Sequence, residues 1–414
     1  MTDDTYGRLG PSFTLYWVCR VFVSLSFQMA AVAVGWLVYA KTGSAYALGL
    51  VGLCQFVPMV ALTFVVGHVA DRFDRRRIVA ICELVNAATL GVLAVGATSD
   101  WLTVPVIFGC VAMLGATRAF EHPTLSSLLP ALVAPAILPR AVALSTSAMQ
   151  TATIAGPSVG GLLYAVSPHT PLALAAVLDV VAFAAISLIA ITPRLAPREP
   201  VTFASVFSGL HFIWTRPVIL GAISLDLFAV LLGGVTALLP IFASDILHVG
   251  PWGLGVLRSA PAVGALAMSL FVSRTGLKTQ VGAKMFAAVI AFGVATIVFS
   301  LSSNMILSLA SLAVLGAADT ISVVVRTSLV QLSTPDAMRG RVLAVNSLFI
   351  GTSNQLGEFE SGMLAGLFGA ATSGILGGVG TILVALAWMA IFPALRRIEK
   401  LHEAAPEAPS KVAG

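Results

Sequence analysis

The sequence predicts an all-α membrane protein with twelve transmembrane helices arranged as two pseudo-symmetric six-helix bundles. Of its 414 residues, 58% are hydrophobic and only 10% are charged, whereas about 25% charged residues are usual in soluble domains. Apolar runs of about twenty residues, the length that crosses roughly 30 Å of hydrocarbon, recur along the whole chain. Lysine and arginine outside these runs collect in alternate loops, as the positive-inside rule predicts for a polytopic protein.

Each predicted span is an apolar segment bounded by polar or charged residues. A helix is favoured in such segments because its backbone satisfies its own hydrogen bonds where no water is available. The twelve spans are predicted at residues 13–39, 45–70, 78–97, 102–124, 140–166, 171–192, 216–243, 251–273, 281–301, 304–328, 341–368 and 371–394.

The loops between the spans orient the chain. Loops such as 167–171 and 302–304 contain no lysine or arginine, whereas the alternate loops contain most of the basic residues. Basic residues next to spans are retained on the cytoplasmic side, so both termini are predicted to be cytoplasmic, in a bacterial cytoplasmic (inner) membrane. The net charge of +5 raises the question of nucleic acid, but basic residues confined to short loops indicate contact with membrane lipids and no nucleic-acid partner.

The domain organisation follows from a polar break in the middle of the chain, whose prolines and charges are typical of a linker. We predict an N-terminal six-helix bundle at 1–192 and a C-terminal bundle at 216–394. The cytoplasmic linker between them, 193–215, contains a mildly amphipathic stretch that is expected to lie along the membrane surface. The polar end of the chain, 395–414, is predicted to be a disordered cytoplasmic tail.

The two halves share an internal repeat with an offset of 201 residues. At this offset Arg140 matches Arg341, and Gly156 matches Gly357. A shared arginine at the start of a span carries more weight than matches of alanine and leucine, which are frequent in any apolar chain. Such repeats predict a pseudo-symmetric transporter whose halves rock about a site between them.

The most charged segment of the chain lies between the second and third predicted spans and includes Gly67, Asp71, Arg72, Arg75 and Arg76. It resembles motif A of the major facilitator superfamily, whose fold is the two-bundle arrangement predicted above. The glycine allows close helix contact, the aspartate can lie near a positive helix N-terminus, and the arginines can pair with a carboxylate. The resemblance implies a conformational latch that forms in the outward-open state, and the alternative is a plain positive-inside anchor.

The fifth predicted span contains glycines and a proline that resemble the core of motif C, which in this superfamily is associated with proton-coupled exporters. These residues are Gly156, Pro157, Gly160 and Gly161. The first glycine of the motif has no counterpart here, which weakens the inference of antiport. Small residues permit tight helix crossing and proline supplies a bend, so the alternative is a kinked packing helix without bearing on the direction of transport.

The loop before the eleventh span contains a Pro-Asp-x-x-Arg-Gly-Arg string that includes Asp336, Arg339 and Arg341. This string resembles the matching loop of the enterobactin-exporter and macrolide-efflux branch of the superfamily. Locally, Asp336 is placed to cap a helix, and the arginines can bind phosphates or carboxylates at the cytoplasmic face. The resemblance implies efflux of a siderophore or of a drug-like or macrolide-like compound, and the alternative is a purely structural loop.

Charged residues inside spans are costly in hydrocarbon and are therefore expected to face a central cavity or to pair with one another. Asp319 and Glu358 are predicted to be the protonatable carboxylates of proton coupling, and a static ion pair of Asp319 with Arg326 is the alternative. Further candidates for the lining of a substrate cavity are Gln28, Arg118, Gln150, Asp226 and Arg258.

The motifs of common enzymes are not found in the sequence, which contains no phosphate-binding GxxxxGK[ST] loop, no HExxH and no GxSxG. No cofactor and no metal are predicted. The favoured function is proton-coupled efflux of a small amphipathic compound by a monomer, with protons as the coupling ion. An importer or a lipid flippase of the same fold, and a non-transporting membrane sensor or scaffold, remain as alternatives.

Overall fold

The computed structural model describes residues 9–189, 203–276 and 279–400, and the regular structure within them is helical. The helices are α1 (Pro11–Thr42), α2 (Ala45–Arg72), α3 (Arg75–Gly96), α4 (Val104–Leu132), α5 (Leu138–Val166), α6 (His169–Ser187), α7 (Phe203–Trp214), α8 (Pro217–Leu232), α9 (Leu239–Ile241), α10 (Gly250–Thr275), α11 (Val281–Leu301), α12 (Met305–Ser333), α13 (Asp336–Phe368), α14 (Ala370–Ile391) and α15 (Pro393–Arg396). Short 3-10 and π turns continue α8 through α9 to Ile246.

Ten helices of the described residues are long and apolar enough to cross a membrane, with the stretch from α8 to Ile246 taken as one. Two further helices, α5 and α13, have 29 and 33 residues but are richer in glycine, serine and threonine. Together these make twelve long segments in the described part of the chain, in the order that the sequence predicts. The all-α polytopic fold is therefore confirmed.

One helix extends well beyond its predicted end. The fourth span was expected to stop at residue 124, but α4 runs on to Leu132 with Pro123 and Pro130 inside it. A proline removes one helical hydrogen bond, and packed neighbouring helices tolerate this loss within a membrane. Proline is therefore a weaker sign of a helix end here than it is in a soluble protein.

The chain forms two compact units. The first comprises residues 1–200 together with 237–262, and the second comprises 201–236 together with 263–414. In the first unit α1 packs against α5 and α6, and α3 packs against α4 and α6. In the second unit α11 packs against α12 and α14, while α8 packs against α13 and α14.

The segment predicted as linker contains α7, and this helix belongs to the second unit. Its residue Ile213 is fully buried beside Ile219 and Val342, in a cluster to which α8, α12 and α13 contribute. A Cβ on Gly209 would lie 2.9 Å from the carbonyl oxygen of Arg341, so this glycine allows α7 to approach α13 closely. Packing against α8 and α13 therefore positions α7, and residues 190–202 of the predicted linker lie outside the described residues.

The start of the predicted tail is also packed into the second unit. Leu395 and Ile398 are buried, and the carbonyl oxygen of Ile398 accepts a hydrogen bond of 3.0 Å from the backbone N–H of Gly282. Residues 395–398 thus pack with the second unit, because these apolar side chains cover the start of α11. Residues 401–414, the rest of the predicted tail, lie outside the described residues.

Candidate functional site

The first unit contains a group of buried polar side chains that we call the first polar cluster: Glu83 and Asn86 of α3, and Thr117, Arg118 and Glu121 of α4. Residues three or four positions apart lie on the same face of a helix, so each helix presents its members side by side. Because α3 and α4 pack together, the two sets meet inside the unit.

A chain of hydrogen bonds links four members of this cluster. The hydroxyl of Thr117 donates to Oδ1 of Asn86 at 2.5 Å, and Nδ2 of Asn86 donates to Oε2 of Glu121 at 3.4 Å. The other oxygen of Glu121, Oε1, accepts from Nη1 of Arg118 at 2.9 Å. The carbon Cζ of the Arg118 guanidinium lies 4.2 Å from the centroid of the Phe27 ring, a cation–π contact.

The cluster is closed at one end and accessible at the other. The side chain of Arg118 is 26% exposed, whereas that of Glu121 is 3% exposed. Glu83 is 0% exposed, and neither of its carboxylate oxygens has a hydrogen-bond partner. The arginine is therefore partly accessible, while the two carboxyl groups are enclosed.

Sequence reasoning missed Glu83 and Glu121, although both fall inside predicted spans. The overlooked signal is the spacing of Glu83 and Asn86, two polar residues three positions apart in an otherwise apolar run. On a helix this spacing places both side chains on one face, and an apolar neighbouring helix could not satisfy their hydrogen-bonding groups. The spacing therefore predicts a polar partner on a neighbouring helix.

The second unit contains a second polar cluster, composed of Asp226 of α8, Asp319 and Arg326 of α12, and Asn346 of α13. Nη1 of Arg326 lies 3.2 Å from Oδ2 of Asp226 and donates to Oδ1 of Asn346 at 3.2 Å. Both members of the ion pair are buried. Asp226 and Asp319 line a small cavity together with Phe292.

The predicted candidates of the second unit therefore lie in two different surroundings. Asp226, predicted to line a substrate cavity, is engaged in the ion pair with Arg326, the partner that the sequence analysis considered for Asp319. Glu358 is half-buried on α13.

The arginines of the charged hairpin have partners within the first unit. Arg76 pairs with Asp74 at 2.7 Å and donates through Nη1 to the carbonyl oxygen of Ile189 at 2.5 Å. Arg75 reaches the carbonyl oxygen of Ser127 on α4 at 3.5 Å. Asp74 caps α3 by accepting from the backbone N–H of Arg76, and the side-chain hydrogen bond from Arg76 holds the pKa of Asp74 below its usual value.

The remaining residues of the hairpin prediction are less fully defined. Arg72 is the last residue of α2 and its side chain is exposed. Gly67 and Asp71 are in the helical backbone of α2, and their side chains lie outside the described residues. The predicted latch therefore stays a prediction.

The glycines of α5 form tight helix crossings. A Cβ on Gly156 would lie 2.6 Å from Cβ of Gln28, and one on Gly160 would lie 3.0 Å from Cα of Met29, both on α1. A Cβ on Gly161 would lie 2.8 Å from Cα of Gly255, in the part of α10 that belongs to the first unit. Larger side chains would force these helices apart. Pro157 lies inside the continuous helix α5.

Three more cavity candidates are half-buried in the first unit. Gln28 lies on α1 at the crossing with Gly156, and Gln150 lies on α5. Arg258 of α10 donates through Nη1 to the carbonyl oxygen of Ala31 at 3.3 Å.

The loop before α13 has a structural contact. Nη1 of Arg341 lies 3.5 Å from the hydroxyl of Ser208 on α7. Asp336 is the first helical residue of α13, one position after the N-cap Pro335. The side chains of Asp336 and Arg339 lie outside the described residues.

Long apolar helices with ionisable side chains buried between them are typical of polytopic membrane transporters. A family model described as transmembrane secretion effector matches residues 10–411, and the chain belongs to this family. The resemblance to the major facilitator superfamily inferred from the motifs is thereby confirmed. The members compared with it are membrane transporters rather than enzymes.

Two relatives with assigned activities align along nearly the whole chain. The multidrug efflux pump Tap of Mycobacterium tuberculosis is 28% identical over 415 residues, which covers 97% of each chain. The enterobactin exporter EntS of Citrobacter koseri is 25% identical over 401 residues, which covers 94% of each chain. Both belong to the branch that the loop before the eleventh span resembles.

Solved structures agree on the fold. The POT family transporter PepTSo aligns with a TM-score of 0.73 at 12% identity, over 93% of this chain and 98% of that one. An inward-facing bacterial homologue of the lysosomal transporter Spinster aligns with a TM-score of 0.71 at 12% identity, over 94% and 97%. At this identity the likeness concerns the fold alone.

Proposed function

We propose that the chain exports a small amphipathic compound across the bacterial cytoplasmic membrane by alternating access, coupled to proton entry. The observation that carries the proposal is that two relatives aligned over 94% or more of the chain are an efflux pump and an exporter. The small-molecule substrate would then enter from the cytoplasm, and the chain would act as a monomer with both termini cytoplasmic.

The first polar cluster supports a substrate that combines an apolar body with an anionic group. Arg118 is accessible and lies over the ring of Phe27, while a hydrogen bond to Glu121 uses one of its five N–H donors. A catecholate or carboxylate can bind the remaining donors while an apolar ring packs on Phe27. Siderophores have this character, and many drugs share the apolar part of it.

Proton coupling would supply the energy, since the sequence contains no nucleotide-binding motif. One charge crossing 100 mV releases about 2.3 kcal/mol, enough for roughly a fortyfold substrate gradient. Asp319 and Glu358 are the proposed carriers in the second half of the chain.

The experiment uses inside-out membrane vesicles from cells that overproduce the chain, energised by respiration. Ethidium serves as the cationic probe and an iron-free catecholate siderophore as the anionic probe. An exporter accumulates a probe in the lumen, and a protonophore abolishes the accumulation. Accumulation in right-side-out vesicles would instead identify an importer and contradict the proposal.

Variants and lipid probes separate the alternatives. Asp319→Asn and Glu358→Gln should each lower proton-driven accumulation at least tenfold at unchanged protein level, and unchanged accumulation in both removes them from the mechanism. Scrambling of a labelled phospholipid in proteoliposomes without transport of either soluble probe would favour a flippase. No flux of any probe would favour a sensor or scaffold.

A further inference from the structure

The first unit holds a buried carboxyl group that the carriers proposed above do not include. We propose that Glu83, together with its neighbour Glu121, is a second proton-binding site of this transporter, located in the first half of the chain. The inference rests on the proposed function, because it assigns a place where the coupling proton is held. It is carried by geometry around Glu83.

The carboxyl group of Glu83 is fully enclosed. It is 0% exposed, and both of its oxygens are without a hydrogen-bond partner. An ionised carboxylate in such a place would lack both water and donors, at a cost of several kcal/mol. A protonated carboxyl group carries no charge and avoids most of this cost. Glu83 therefore holds a proton in the conformation described.

The charges around Glu83 favour the same assignment. Glu121 and Arg118 act on it from α4, and Asp179 acts on it from α6. Arg118 is paired with Glu121, and Asp179 is bonded to the hydroxyl of Ser26. No described donor bonds to Glu83, and a negative charge on it would face two other carboxyl groups.

Other titratable groups complete the surroundings. Arg20 of α1 acts on Glu121; it bonds to the Ser126 hydroxyl at 3.3 Å and the Met149 sulfur at 3.6 Å, and its buried Nε has no hydrogen-bond partner. Cys19 of α1 and Cys82 of α3 are buried beside the glutamates. His122 of α4 lies next to Arg118 and Arg20. None of these groups donates a hydrogen bond to Glu83, and Arg20 is not among the charges that act on it.

The exposure of the cluster bears on the release of the proton. Arg118 is the accessible member, it is bonded to Glu121, and both Glu121 and Glu83 are enclosed. A substrate anion that binds Arg118 competes with Glu121 for the guanidinium. Neither oxygen of Glu83 has a hydrogen-bond partner in the conformation described, so release of its proton requires a rearrangement that brings Glu83 into contact with Glu121 or water. The O–H bond of Glu83 then breaks and one forms on that acceptor, which passes the proton to bulk water. Asn86 is a positioning residue, because its amide holds Glu121 in place.

The first experiment detects the proton directly and does not depend on transport. Infrared difference spectra of the purified protein, labelled on glutamate with a carbon isotope, should contain a protonated-carboxyl band at neutral pH. Glu83→Gln should remove the part of this band that Glu83 contributes, while any part contributed by Glu358 remains, and the matched control Glu360→Gln, a partly buried glutamate of α13, should keep the Glu83 part. A labelled wild-type protein without any such band, or a band of equal intensity in the wild type and in folded Glu83→Gln, would overturn the proposal.

The second experiment asks whether the proton is used. Glu83→Gln mimics the protonated group permanently, so it should lose at least tenfold in proton-driven accumulation of the probe but keep exchange of labelled for unlabelled probe. A structural role alone would lower both. If the wild type transports no probe, the proposed function fails and the infrared result still stands. If the wild type transports and Glu83→Gln keeps its proton-driven accumulation within twofold, the inference fails alone.

Discussion

The two polar clusters each combine two carboxyl groups with one arginine, and they differ in the surroundings of the carboxyl group that the arginine does not pair with: Asp319 lines a small cavity, whereas Glu83 is fully enclosed. In the second cluster, Arg326 neutralises Asp226 within a buried ion pair, and Asn346 contributes a further bond. In the first cluster, Arg118 neutralises Glu121 only, and Glu83 is enclosed within the first unit without a hydrogen-bond partner. A membrane protein that keeps an uncompensated carboxyl group bears a cost in stability, and such groups mark functional sites more often than compensated pairs do.

The largest loss of stability is expected from breaking the buried ion pair of Asp226 and Arg326. Arg326→Met would leave Asp226 buried without a cation, which destabilises by about 3–5 kcal/mol. Equilibrium unfolding in detergent micelles measures the loss. The double variant Asp226→Leu with Arg326→Met removes both charges and should recover most of the stability. If the double variant is no better than the single one, the pair does not act as a unit.

A smaller effect is expected at the accessible end of the first cluster. Arg118→Met removes the cation from Glu121, but Asn86 still donates to this carboxyl group and Arg118 is partly exposed, so the loss should be about 1–3 kcal/mol. The same variant should lower binding of the anionic siderophore probe more than that of ethidium, as measured by fluorescence or calorimetry. Equal losses for both probes would count against an anion at Arg118.

A still smaller effect is expected at the uncompensated residue itself. If Glu83 is already neutral, Glu83→Gln replaces one neutral polar group by another and should change the free energy of unfolding by less than about 1 kcal/mol. The measurement is the same unfolding experiment at neutral pH. A loss comparable to that of Arg326→Met would mean that Glu83 is ionised and bonded, and would erase the contrast between the clusters.

The smallest change in stability is expected for the solvent-exposed pair of Asp74 and Arg76. The pKa of Asp74 in the folded protein lies below its usual value of about 3.9, chiefly because Arg76 donates a side-chain hydrogen bond to it. The contribution to stability is therefore present above about pH 4 and is lost as the pH falls through the folded pKa. Because the pair is exposed to solvent, the contribution should be at most about 1 kcal/mol. The free energy of unfolding of the wild type and of Asp74→Asn, measured from about pH 6 down through the folded pKa of Asp74, isolates this contribution. The same pH dependence in both proteins would contradict the assignment to Asp74.

Most helix ends were predicted to within a few residues. This was possible because long apolar runs and the charged loops between them can be recognised directly in the sequence. The two polar clusters could not be predicted in this way. Glu83 and Glu121 are 38 positions apart in the sequence, and only the packing of α3 against α4 places them together. Similarly, the i and i+7 spacing of Asp319 and Arg326 suggested an ion pair within α12, whereas the arginine pairs with Asp226 of α8. Local patterns indicate which face a side chain occupies, but the partner comes from the neighbouring helix.

The burial of Ile213 within the second unit determines where the gene could be divided to produce two complementing fragments. A break placed between residues 190 and 202 leaves α7 attached to the helices that cover it, whereas a break after Trp214 would strip this apolar residue from its surroundings. Co-expressed pieces of the first kind should assemble into an active pair, while pieces of the second kind should be cleared by cellular proteases.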